Sequence, residues 1–99
     1  MKSLDKMMCH ISEELDGAVE YAEDYVGEKM KNNAAKASKF REMALQELTH
    51  AQNWYEWAEK HKEEIEKIMP LSVSDDEEWQ HCRKLYAERV AIAKYMLDR

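Results

Sequence analysis

The sequence predicts an all-α fold: a long antiparallel helical hairpin followed by a third helix. Three observations carry this. Gly occurs twice and Pro once in 99 residues, too little turn chemistry for a many-turned β-sandwich. Glu supplies 15 residues, Lys 11 and Met 7, all side chains that lose little rotamer freedom in a helix. Apolar residues recur in alternating steps of three and four over most of the chain. At this length the chain, 1–99, is a single domain with one hydrophobic core.

The first helix is predicted over 3–30. Leu4, Met8, Ile11, Leu15, Ala18, Ala22 and Tyr25 form its stripe, widened by Met7, Val19, Val26 and Met30. Ser3 is the expected cap, and Gly27 or Asn32-Asn33 the expected stop. The second helix is predicted over 33–69, with Ala37, Phe40, Ala44, Leu48, Ala51, Trp54, Ala58, Ile65 and Ile68 on its stripe. Pro70 ends it, because a residue before proline is pushed out of the helical region. The third is predicted over 74–98, opening on a Ser74-Asp75-Asp76-Glu77 capping box. Trp79, Cys82, Tyr86, Val90, Ala93 and Leu97 form its apolar face. A hairpin this long cannot bury two wide stripes by itself, and the shorter third helix covers only part of what remains. The leftover face predicts self-association.

Charge and composition exclude several classes of function. A net charge of −6 argues against nucleic acid, whose affinity comes largely from Lys and Arg at phosphates. The negative surface attracts cations instead. No apolar run is long enough to span a bilayer, so no membrane partner is expected. Met1-Lys2-Ser3-Leu4-Asp5-Lys6 has no apolar core behind it. With only Cys9 and Cys82, a reduced cytoplasmic protein is expected.

Two carboxylates interrupt the apolar rows. Glu14 falls among Met7, Ile11, Ala18, Tyr21 and Tyr25, and Glu47 among Phe40, Ala44, Ala51, Trp54 and Ala58. A carboxylate in such a stripe is costly unless paired, protonated or bound to metal. Counting back from the turn puts Glu14 roughly 24 Å along one arm and Glu47 roughly 21 Å along the other. The two therefore stand at nearly the same height. His50 follows Glu47 by three positions and shares its helix face. Carboxylate and imidazole donors without thiolate suit iron, manganese or zinc. The plainer account pairs Glu47 with a nearby Lys or Arg and leaves His50 as a half-exposed helix residue. Glu-x-x-His alone is common in a Glu-rich chain.

Glu14, Tyr21 seven positions on, Glu47 a further 26 on, and His50 together resemble half of a rubrerythrin-type member of the ferritin-like superfamily. The resemblance covers about Ile11 to Glu59. It implies that Glu14, Glu47 and His50 are metal ligands of a di-iron carboxylate centre, with Tyr21 nearby. A full member supplies a second such half from a second helix pair, whereas this chain has one. The resemblance thus implies a ferritin-like four-helix bundle completed by homodimerisation, the site shared between two chains as in the short-chain encapsulated ferritins. The implied activity is Fe(II) oxidation, a ferroxidase or iron-handling role. The alternative is a metal-free helical oligomerisation or protein-interaction module, in which Glu14 and Glu47 are polar specificity residues.

Other residues carry weaker readings. Glu78-Trp79-Gln80-His81 is a second Glu-x-x-His, but Glu78 lies in a first helical turn, where acidic residues favour the helix dipole. His10 lies one turn before Glu14 and is either an outer partner of the site or a half-exposed helix histidine. His61 faces no stripe-centred carboxylate. The cysteines lack the basic surroundings of a nucleophile.

Overall fold

A computed structural model describes residues 2–99 and places α1 at Lys2–Met30, α2 at Ala34–Glu66 and α3 at Val73–Leu97. All of the described regular structure is helical. The molecule is a rod of 55 × 17 × 17 Å. No helix is long and apolar enough to cross a membrane.

The α1–α2 hairpin is built on small residues. On α2, Ala37, Ala44, Ala51 and Ala58 are all buried and lie seven positions apart. Seven residues is close to two helical turns, so the four methyl groups fall on one line. Side chains this short let the partner backbone come close. Against them α1 sets Leu4, Ile11, Leu15, Ala18 and Ala22, none with any exposed surface. One core cluster at the turn end joins Ala18, Ala22, Tyr25, Ala37, Ala44 and Leu48 to Ala93 and Leu97 of α3. A second, at the far end, joins Leu4, Ile11, Leu15, Ala51 and Ala58 to Trp79 and Cys82.

The turn between α1 and α2 stops on Asn32, not Gly27. Asn32 takes φ 58°, a left-handed conformation that Asn tolerates better than most residues. Its N–H donates to Lys29 O at 3.0 Å and that of Asn33 to Glu28 O at 3.0 Å, the paired bonds of a Schellman cap. Asn33 then caps α2, its side chain accepting from Lys36 N at 3.3 Å.

Several terminal expectations need correction. Ser3 lies inside α1, and its hydroxyl pairs with His61 Nε2 at 2.7 Å instead of capping the helix. Helix α2 ends at Glu66, three residues early, because Met69 must leave the helical region before Pro70 and the last turn loosens ahead of it. Helix α3 begins one residue early, capped by Ser72, not Ser74. Ser72 is extended and accepts from Asp75 N at 3.1 Å, so the box reads Ser72-x-x-Asp75. Helix α3 also stops at Leu97 with Asp98 as its C-cap. Met30 and Ile68, placed on stripes by periodicity, lie beyond the packed turns at 80% and 85% exposure.

Helix α3 lies along one flank of the hairpin. The Tyr55 ring stacks on Tyr86 at 4.1 Å and on Trp79 at 5.5 Å between centroids. Arg89 pairs with Asp16 of α1. At 100° per residue, Asp16 and the other α1 positions that meet α3 (Asp5, Met8, Cys9 and Ser12) point away from the side that carries Glu14. The opposite flank is left free of α3.

Candidate metal centre

That free flank brings together the three residues singled out by spacing. One side-chain ligand atom each of Glu14, Glu47 and His50 lies within 4.8 Å of the others. His50 Nδ1 stands 3.4 Å from Glu14 Oε2. The carboxylates meet because both arms rise equally from a tight turn, and His50 joins them because i and i+3 share a face.

The site is a rim, not a buried core. The Glu14 side chain keeps 24% of its surface exposed and that of His50 keeps 54%. Glu47 is half-buried. Periodicity sets the carboxylates in the middle of apolar rows; the structure puts them at the edge of those rows, where solvent reaches them. Among the described residues, no Lys or Arg forms an ion pair with either carboxylate. The salt-bridge account of Glu47 therefore has no partner.

Two facing carboxylates with no cation between them hold a proton. The Glu47 carboxyl is raised from its ordinary range to about 7. A hydrogen bond to Glu14 is the first cause, followed by burial and by repulsion from Glu14, with His50 pulling weakly the other way. When protonated, Glu47 donates to Glu14 and the pair stays together with one charge fewer.

This has a consequence for the metal-free fold. Between the unfolded carboxyl's usual pKa and about 7, the folded chain holds a proton that the unfolded chain has lost. Stability falls as pH rises through that window and is level above it. The expected size is of order 1 kcal/mol once solvent screening is allowed for. Urea unfolding of apo protein at pH 5 and pH 8, compared with Glu47→Gln, measures it: the substitution removes most of the difference. A cation displaces the same proton, so its affinity rises with pH over the same range.

The remaining candidates lie elsewhere. His10 stacks face to face on Trp54 with ring centroids 4.3 Å apart, and its Nδ1 is 3.9 Å from Glu13. It belongs to an aromatic contact beside the site and is not in the cluster. Tyr21 packs on Phe40 at 6.3 Å, about two turns beyond Glu14 and one beyond Gly17. Glu78 and His81 line a cleft of about 700 Å³ between α1 and α3, where Glu78 approaches Asp5 and Asp75. They do not complete the Glu14 site. Cys9 and Cys82 line the same cleft and are both free thiols. Burial pushes the Cys82 thiol up to about 11, and the Glu13 carboxylate raises that of Cys9, so both are held as thiols.

What spacing alone missed is the Trp54 side chain beside His10 and the position of Gly17. Gly17 lies three residues after Glu14, the one residue without a side chain in the row Met7, His10, Glu14, Gly17, Tyr21. Compared with known proteins, the chain matches no family model, no curated protein and no solved structure.

Proposed function

We propose that the chain is a ferritin-like metal-binding protein whose Glu14, Glu47 and His50 form half of a di-iron carboxylate site completed by a second copy. One observation carries the reading: two carboxylates with no Lys or Arg partner among the described residues, and an imidazole, converge from two helices on a half-exposed rim. Their chemistry fits the substrate. Oxygen donors and one imidazole accept Fe(II), with manganese and zinc as alternatives, and the absence of thiolate disfavours soft ions.

Each residue has a definite part. Glu47 gives up its proton when a cation arrives, so charge is exchanged for charge. Glu14 lies against His50 and limits how its ring turns. The half-exposed position lets ions enter without opening the fold. Fe(II) bound there is oxidised to Fe(III) by dioxygen or peroxide. Two Glu14, two Glu47 and two His50 across a two-fold axis make the full ligand set. Half-exposed Met7, Phe40, Met43 and Trp54 around the rim supply apolar surface for that contact.

Aerobic addition of Fe(II) to apo protein tests the activity. The wild type develops ferric-oxo absorbance faster than protein-free buffer, and Glu47→Ala slows it to the buffer rate. An equal rate in the variant, or none above buffer in the wild type, overturns the reading.

The second reading is a metal-free helical interaction module. Trp57, 54% exposed on α2 and edge-on to Trp54, favours it, because a bare indole is a common anchor at protein interfaces. Elemental analysis of protein purified without added metal separates the two.

A further inference from the structure

Gly17 stands in the middle of α1, where a glycine costs a helix about as much as any residue but proline. No turn or left-handed backbone explains it, since α1 runs unbroken through it and Asn32 is the one described residue with positive φ. What lies against it does. A Cβ built on Gly17 would sit 3.0 Å from Glu47 Oε2, 3.4 Å from its Cδ and 3.5 Å from its Cγ. All three nearest atoms belong to one side chain, and that side chain is the α2 carboxylate of the rim. Gly27, also within α1, has nothing within 4 Å of a Cβ built there.

We infer that Gly17 is a positioning residue: its missing side chain is the space into which the Glu47 carboxylate reaches across to Glu14. The inference rests on the metal-binding reading above and adds a residue to it that donates nothing itself. A methyl group at position 17 is tighter than ordinary van der Waals contact, so the carboxylate must give way. Glu47 is the flexible partner and α1 the stiff one. The carboxylate therefore shifts away from Gly17 by a few tenths of an ångström, and the three donor atoms fit one ion less closely. The gap also explains why Glu47 reaches Glu14 although each carboxylate springs from a different helix.

The two glycines provide a matched pair for the test. Zn(II), Mn(II) and anaerobic Fe(II) are titrated into wild type, Gly17→Ala and Gly27→Ala, and the thermal midpoint and helix content of each apo protein are measured. Gly27→Ala is expected to melt a few degrees higher, from helix propensity alone, and to bind metal as the wild type does. Gly17→Ala is expected to keep its helix content and lose affinity by about tenfold or more, a change of about 1.4 kcal/mol. A merely structural glycine would change the melting point and leave affinity alone. Gly17→Ala binding within about twofold of wild type overturns the inference while leaving the metal site standing. Loss of apo helix content in Gly17→Ala overturns it as well, because the methyl would then be disturbing helix packing. A wild type that binds none of the three ions removes the reading beneath it.

Discussion

Metal will double the sedimentation mass of the wild-type chain, and Glu14→Ala will remain at the 11.8 kDa of a monomer under the same conditions. The expectation follows from counting donors. One chain offers two carboxylates and one imidazole, too few to close a two-metal centre, and the donors lie on an accessible rim. Two copies about a two-fold axis supply six. Each chain also carries a net charge of −6, and the rims that must meet are acidic, so association without a cation brings like charges together. A cation between them removes that repulsion and acts as a ligand of the dimer, stabilising it by mass action. Glu14→Ala takes away one donor and the neighbour of His50 while leaving helix content intact, since Ala is the better helix former. It also removes the partner that keeps Glu47 protonated, so the Glu47 carboxyl returns toward its ordinary range. Sedimentation or light scattering with and without metal reads the result. A wild type that binds metal stoichiometrically as a monomer would show that the shared site is wrong.

The largest effect on stability is expected at Leu15. Its side chain is completely buried in the cluster formed by Leu4, Ile11, Ala51, Ala58, Trp79 and Cys82. Truncation to Ala removes apolar surface and leaves a cavity that three stiff helices close poorly, at a cost of about 2 to 5 kcal/mol. A domain of this size has about 5 to 15 kcal/mol in total, so the variant lies near the edge of folding. Urea unfolding followed by circular dichroism measures the loss. Added metal recovers part of it through the linkage that strengthens the dimer. A cost below about 1 kcal/mol would mean that the far-end cluster is looser than its burial indicates.

Spacing made much of the rim legible before any coordinates. Helix rise is constant and the Lys31–Asn33 connection is short, so the heights of Glu14 and Glu47 follow from counting. The azimuth of the site does not follow in the same way. Periodicity places Glu14 in an apolar row, but only the path of α3 decides which edge of the row is covered. Tyr86, Trp79 and Arg89 fasten α3 to the flank away from Glu14. The Ser72 cap was hidden because both Ser72 and Ser74 are followed three residues later by an acidic side chain. The His10–Trp54 stack depends on the rotation of two helices at once, which no single row of residues records. Gly17 belongs to no motif, and its meaning exists only in what sits opposite.

The line of alanines on α2 has one further implication. A spacing of seven is a repeat, and a repeat is indifferent to sliding by its own period. Shifting α2 along α1 by seven residues would return Ala44 to the place of Ala37 and Ala51 to that of Ala44, much as before. It would also carry Glu47 about 10 Å away from Glu14. The ladder therefore cannot choose its own register. That choice falls to Asn32, whose left-handed backbone and Schellman bonds leave three residues between the helices and no slack for a slipped alignment. A surface turn fifteen residues from one carboxylate and eighteen from the other thus sets the alignment in which they meet.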